Sequence, residues 1–348
     1  MRNYSPISIY INWPQMNSFD EAQLTESYLK ELNSFREALH GKQLKSIYFG
    51  GGKTSLMPIK LIERILNAIN EVINITAGTE ISVEVGHALT TEQQLKDLKN
   101  LGINRISIAA QALNKQAIIA IEMAQKIFDN YSFDLVYARP SQTLDAWQAE
   151  CRQALPYIKH HISLHQLITS KSDTDLEAEM FKANMEILGS HGIHQYEISN
   201  YATKGWESAH NLAYYNYDEY LGIGPGARSR IMNHKGILAM SIEKRPDIWL
   251  KKLANNLPTT TEKEELSPKQ IAYEYIMMNL RKSSGLNEHD FFIKFDMDIH
   301  EYLDKDGLNY FQMKGWLKYT KEKIAVTEAG RLFLDKIILD IIKDNAEY

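Results

Sequence analysis

The sequence predicts an α/β protein of parallel strand–helix units, followed by a smaller helical unit. Three observations lead there. Six short runs rich in Ile, Val, Tyr or Phe recur through the first half of the chain. An amphipathic stretch of helical period separates each run from the next. Beyond residue 266 that alternation stops, and a helix-rich pattern ending in a hairpin replaces it.

The strand candidates are residues 7–12, 45–50, 80–85, 105–111, 132–138 and 161–167. The helix candidates between them are 19–39, 58–73, 91–101, 115–128 and 144–158. Two helix starts carry capping residues: Thr90 and Thr91 with Glu92 close by, and Thr143 with Asp145. Six such units suit either a doubly wound sheet or an incomplete barrel, and periodicity does not separate the two. In both, a ligand site belongs at the C-terminal ends of the strands. Residues 175–192 read as helix and 195–202 as strand-like. A loop-rich region with Gly222-Ile223-Gly224-Pro225-Gly226 follows. The polar stretch 258–266 opens on a proline and reads as a linker. From residue 267 helices lead to a hairpin at 317–326 and a helix at 327–343, a winged-helix-like pattern. The expected organisation is therefore 1–235, a connector at 236–266, and a small domain at 267–348.

Composition is that of an ordinary globular chain, 44% hydrophobic and 24% charged, with net charge -5. No basic field recruits nucleic acid or an anionic membrane. Residues 259–348 carry 13 Lys and Arg against 17 Asp and Glu, so the winged-helix-like part lacks the basic face that phosphate binding needs. The first residues lack a signal-peptide pattern, and no apolar run approaches the ~18 residues of a membrane span. A cytoplasmic protein is expected. The single cysteine, Cys151, excludes an internal disulfide and cannot by itself hold an iron–sulfur cluster. It falls in the 144–158 helix, where a packing role is expected. His160 with His161, and His191 with His194, have metal-like spacing but no matching acidic or thiol partners, so exposed or capping roles are expected.

Several motifs stand in a recognisable order. Ile47-Tyr48-Phe49-Gly50-Gly51-Gly52-Lys53-Thr54-Ser55-Leu56 is a strand running into a glycine-rich loop. Asn104–Gln111, Phe133–Pro140 and Tyr196–Ala202 follow, then His210-Asn211-Leu212-Ala213-Tyr214-Tyr215 and Tyr220–Ala227. Gly285–Phe292 and Leu317–Leu334 complete the set. Together they resemble the HemW heme-chaperone family of the radical S-adenosylmethionine superfamily, and its relative, oxygen-independent coproporphyrinogen III oxidase. The resemblance covers nearly the whole chain. It implies a partial (β/α)6 barrel followed by a small C-terminal helical domain.

The chain departs from that family where the cofactor would sit. The family places a CxxxCxxC motif after the first strand, whose three thiolates hold a 4Fe–4S cluster. Here Ile9-Tyr10-Ile11-Asn12-Trp13-Pro14 runs into Gln15-Met16-Asn17-Ser18-Phe19 with no cysteine. Lys53 stands where the glycine-rich loop has threonine, Asn12 and Arg228 where the family has histidine, and His165 where it has tyrosine. A Leu-Gly-Arg segment between the fourth and fifth strands is absent, and the stretch after Thr169 is shortened. Reductive cleavage of S-adenosylmethionine is therefore not expected.

By resemblance, Tyr10, Gly51, Gly52, Glu84, Gln111 and Asp134 correspond to an S-adenosylmethionine site, and His210 to a proposed heme-iron ligand. The residues alone allow plainer roles: a tight turn for the glycines, a polar network for Glu84, Gln111 and Asp134, a core ring for Tyr10, and a hydrogen-bonded loop position for His210. The expectation is a heme carrier that delivers heme to an acceptor protein, with S-adenosylmethionine as a possible ligand. Its rivals are a cluster-dependent radical enzyme, and a ligand-free relic that serves as an interaction module.

Overall fold

The structure, a computed structural model, describes residues 6–16, 18–168, 174–234, 236–320 and 322–343. The chain divides into two compact units. The first takes the chain up to His194, with Tyr201–Ala213 and Asp218–Glu265. The second consists of Gln195–Asn200, Tyr214–Tyr217 and the chain from Leu266.

In the first unit, β1 (Pro6–Trp13), β2 (Gln43–Gly51), β3 (Glu80–Gly86), β4 (Arg105–Gln111), β5 (Asn130–Tyr137) and β6 (His161–Gln166) lie side by side in sequence order, every pair parallel. The helices α1 (Glu21–Ser34), α2 (Arg36–Leu39), α3 (Ile59–Val72), α4 (Glu92–Asn100), α5 (Lys115–Ile127) and α6 (Leu144–Ala154) connect them, and α7 (Thr174–Gly189) follows β6. This order decides between the two architectures that periodicity left open. A doubly wound sheet reverses its strand order at a switch point. No reversal occurs here, so right-handed crossovers place the helices on one face and the sheet curls inside them. Thr91 and Thr143 cap α4 and α6, accepting from the N–H groups of Gln94 and Ala146.

The chain then forms β7 (His194–Gln195), β8 (Asn200–Ala202), α8 (Ala209–Tyr215), β9 (Glu219–Ile223), β10 (Arg228–Asn233), β11 (Gly236–Ile242), α9 (Pro246–Ala254) and β12 (Thr260–Glu265). The sheet has twelve strands in the order β12-β11-β10-β9-β1-β2-β3-β4-β5-β6-β8-β7. Its two ends are different strands, so the barrel is partial. Residues 236–266 are therefore no connector: β11, α9 and β12 all belong to the first unit. Thr260–Glu265 reads as a linker because an edge strand with exposed side chains has no apolar alternation to reveal it. The 19–39 helix breaks at Phe35, 195–202 is strand only at its two ends, and the last α-helix starts at Leu334 rather than 327. The shortened stretch after Thr169 lies outside the described residues.

Every barrel strand alternates two kinds of buried residue. Ile7, Ile9, Ile47, Phe49, Ile81, Val83, Ile106, Ile108, Phe133 and Ile162 pack in the layer shared with the helices, all at most 5% exposed. Burying each such side chain contributes about 1.5–3 kcal/mol. The intervening positions are polar, and they build the lumen.

In the second unit, α10 (Pro268–Leu280), β13 (Leu286–Asn287), α11 (Glu288–Phe295), α12 (Lys305–Met313), β14 (Leu317–Tyr319), β15 (Lys323–Val326) and α13 (Leu334–Ile341) form helices around a three-stranded antiparallel sheet ordered β13-β15-β14. A capping box of Ser267 and Gln270, with Pro268 in the first turn, starts α10. Ile276, Phe291, Leu303, Phe311, Ile324 and Ile337 form its core.

Candidate functional site

One serine from each of the six parallel strands enters the lumen: Ser8, Ser46, Ser82, Ser107, Ser132 and Ser163, all at most 5% exposed. Strand register sets their heights. Ser8 pairs with Ser46 and Ser107 with Ser132, whereas Ser82 is level with Tyr48 and Arg105, and Ser163 with Asp134. Four of the hydroxyls link in two pairs: Ser46 donates to Ser8 at 2.8 Å and Ser132 to Ser107 at 3.1 Å. Arg105 is buried at 2% exposure and donates to Ser132 at 3.0 Å. Buried hydroxyls and a guanidinium favour such partners, which alternation on a curled sheet supplies in part, while Ser82 Oγ and Arg105 Nε have none among the described residues.

Two carboxylates lie above this ring. Burial first, and the neighbouring Asp134 second, push Glu84 up from 4.5 to about 7, while a hydrogen bond from the Gly51 N–H opposes them. Asp134 is also raised by burial, opposed by the electrostatic influence of the neighbouring His165 and Arg105 and by hydrogen bonds from Ser163 and Ser107. Two carboxyl groups in one low-dielectric lumen do not both ionise freely, so the pair holds a proton near neutral pH. Tyr10 is raised to about 12, by burial and then by Glu84. Its ring lies 6.0 Å from that of Tyr48, and its hydroxyl donates to Asn12 Oδ1 at 3.3 Å. Tyr10, Glu84 and Asp134 are therefore brought together.

Gln111 is not among them. It ends β4 with φ of 63°, its side chain is exposed, and its carbonyl accepts from Arg139 at 3.3 Å. Gly51 and Gly52 form a close turn, and what they approach is the chain itself. Gly51 has φ of 110°, and a Cβ there would meet Asn12 Oδ1 and lie 2.6 Å from the Trp13 carbonyl oxygen. A Cβ on Gly52 would lie 3.0 Å from the Gln15 backbone, and the Gly52 N–H donates to the Trp13 carbonyl at 2.8 Å. These glycines pack the end of β1. Asn12 also donates to the Pro225 carbonyl at 2.5 Å, which ties the Gly-Pro-Gly loop to the same strand. Gly224 in that loop donates to Glu31, a buried carboxylate that also accepts from Trp249 and Thr259.

His210 occupies the opposite, N-terminal end of the lumen. It is 2% exposed, with Nδ1 2.9 Å from Ser46 Oγ and its ring 5.0 Å from Tyr48 and 6.0 Å from Tyr10. Glu80, the first residue of β3, accepts from Ser208 Oγ and from the N–H groups of Ala209 and His210, which fixes the start of α8 there. Burial, and then the Arg105 charge, push His210 down to about 3. The expectation of an iron ligand presented to a porphyrin does not match this enclosed placement. His161, expected to be exposed or capping, is instead 1% exposed inside the barrel. His160 stacks on Trp206 at 3.8 Å, and His191 Nδ1 lies 3.0 Å from the Ile187 carbonyl. Cys151 is fully buried in α6, and burial raises its thiol to about 12.

Among the described residues no group of three or more His, Cys, Asp or Glu side chains is arranged to hold a metal ion, and no helix is long and apolar enough to cross a membrane. Grooves of about 410 and 370 Å³ lie outside the barrel, one between α1 and α3 and one along the end of α3, away from the lumen carboxylates. The serine ring, Tyr48 and Arg105 were not singled out from the sequence. The signal of the serines is a Ser followed by an apolar residue, and in all but KSI also preceded by an apolar or aromatic one, in ISI, KSI, ISV, ISI, YSF and ISL, which shows only when six strands are set side by side.

Comparison with known proteins agrees with this architecture. The HemN C-terminal domain family matches residues 266–333. The heme chaperone HemW of Lactococcus lactis is 27% identical over 91% of this chain and 89% of its own length. HemW of Bacillus subtilis is 27% identical over 92% of both. The mitochondrial radical S-adenosyl methionine domain-containing protein 1 of Danio rerio is 26% identical over 96% of this chain and 86% of its own. Among solved structures, coproporphyrinogen III oxidase (HemN) of Escherichia coli superposes with a TM-score of 0.81 over 97% of this chain and 90% of that one, at 17% identity, which speaks to the fold. An open parallel barrel, a HemN-type C-terminal domain and full-length similarity to heme chaperones lead to one assignment: the chain belongs to the HemW family of radical S-adenosylmethionine-domain proteins.

Proposed function

We propose that this protein binds heme and passes it to an acceptor protein, and that its barrel does so without an iron–sulfur cluster. Support for heme handling comes from the relatives named heme chaperones, which align with most of the chain. The family implies a 4Fe–4S cluster and S-adenosylmethionine, and the residues present do not fit the cluster. The observation that carries this reading is the location of the only cysteine. Cys151 is buried in the helical layer, and its thiol is held protonated, whereas a cluster needs several accessible thiolates. Gln15, Met16 and Ser18 after β1 offer no comparable donors. Glu84, Asp134 and Tyr10 could still face a polar ligand, but no radical step is assigned to them.

The test is anaerobic reconstitution with iron and sulfide, followed by a hemin titration read in the Soret band. Iron and sulfide are expected to remain far below stoichiometric, and hemin to give a saturable shift. A stoichiometric cluster would overturn the cluster-free reading. The absence of any saturable Soret shift would overturn heme handling.

A further inference from the structure

Phe311, Trp316 and Phe333 in the second unit form one column of near-parallel rings. Phe311 and Trp316 are 6.0 Å apart at 20°, and Trp316 and Phe333 are 4.0 Å apart at 8°. Exposure rises along the column: Phe311 is 0% exposed, Trp316 is half-buried and Phe333 is 40% exposed. The column thus runs from the core of this unit to its surface and ends on a ring in contact with water.

The backbone holds the column in place. Trp316 N–H donates to the Phe311 carbonyl at 3.0 Å, and Thr327 N–H to the Trp316 carbonyl at 2.9 Å. Gly330 packs so closely on that carbonyl that no side chain fits there. Phe333 closes a tight turn that Arg331 anchors by donating to the Arg281 carbonyl at 2.7 Å. An aromatic ring fixed at the end of a parallel stack, rather than folded inward, presents a flat apolar face.

Two lysines lie close to Trp316 in the chain. Lys314 and Lys318 stand two residues either side of Trp316, both exposed. Lys314 Nζ lies 5.6 Å from the Tyr310 ring centre. Neither lysine forms an ion pair with a described carboxylate.

We propose that the outer face of Phe333 docks a planar tetrapyrrole bearing carboxylates, with the ring stacked on Phe333 and the two propionates of heme directed to Lys314 and Lys318. The inference rests on the heme reading above and assigns heme a place in the second unit. A flat conjugated ring extends a column that is already parallel, and two negative groups match two exposed lysines that pair with no carboxylate among the described residues.

Stacking and carboxylate pairing need no iron, which separates this site from one built on an axial ligand. The full-length protein is titrated with hemin and with metal-free protoporphyrin IX. Both are expected to bind saturably. Phe333→Ala weakens both at least tenfold, and Phe333→Tyr retains them. The double variant Lys314→Ala, Lys318→Ala weakens both severalfold and flattens their salt dependence. Because both lysines are exposed, this variant keeps the test decisive even if circular dichroism shows Phe333→Ala to be misfolded. Hemin bound equally by the wild type and these variants overturns the stacking face and leaves heme handling standing. Hemin bound without protoporphyrin IX also overturns it, in favour of iron ligation. No saturable hemin binding to the wild type overturns both.

Discussion

Replacing Glu84 with glutamine stabilises the barrel, and the gain grows as pH rises. Glu84 sits in the lumen beside Asp134, accepts a hydrogen bond from the Gly51 N–H, and has its proton affinity raised from 4.5 to about 7 by burial and by Asp134. The sign follows from linkage. A carboxyl group raised in the folded state binds its proton more tightly there than in the unfolded chain. Below 4.5 both states hold the proton and nothing is lost. Between 4.5 and about 7 the unfolded chain ionises first, so stability falls as pH rises, and above about 7 the full penalty remains. At 1.36 kcal/mol per pKa unit, that penalty is about 3 kcal/mol. Glutamine keeps the shape and an acceptor for Gly51 while removing the ionisation. The assay is urea unfolding of both proteins at pH 4.5 and pH 8.5, followed by tryptophan fluorescence. Trp13, Trp147, Trp206 and Trp249, four of the five tryptophans, lie in the first unit, so the signal reports chiefly on the barrel. The stability difference should grow by about 3 kcal/mol between the two conditions. A difference that does not change with pH would refute the reasoning. Asp134→Asn should lower the Glu84 pKa, since it removes the second cause of the shift.

Two further outcomes follow from the packing. His210→Ala removes a ring stacked on Tyr48 and the partner of Ser46, and should cost about 2–4 kcal/mol of barrel stability while leaving the hemin affinity of the folded protein within threefold; lost hemin binding at unchanged stability would contradict the placement of His210. Gly51→Ala forces a Cβ against Asn12 and the Trp13 carbonyl at φ of 110°, and should cost about 3 kcal/mol or more, read as a lower midpoint in thermal unfolding; a neutral effect would mean that the end of β1 does not lie over this loop.

Much of the fold was legible in local pattern. The six parallel strands, the Thr91 and Thr143 caps and the helical second unit all follow from features confined to a few consecutive residues. The same reading misplaced Thr260–Glu265, because an exposed edge strand carries no apolar period. It grouped Tyr10, Glu84 and Asp134 by resemblance, and the structure also brings them together. It added Gln111, whose side chain is exposed at the end of β4.

By itself the sequence determined the chain's class, its alternating βα units and the single cysteine that leaves no set of thiolates for a cluster. Which way each polar strand residue faces was decided only in three dimensions. A serine in ISI or YSF reads as an ordinary polar interruption until parallel register sets six of them around one lumen. The depth of His210 was decided in the same way, because Ser46, Tyr48 and Glu80, which enclose it, are more than 100 residues distant in the chain. So was the Phe311–Trp316–Phe333 column, whose rings come from a helix, a turn and a later turn that meet only when the second unit closes. Local sequence carries propensity and period, whereas burial, pKa and ring stacking depend on distant residues brought together by folding.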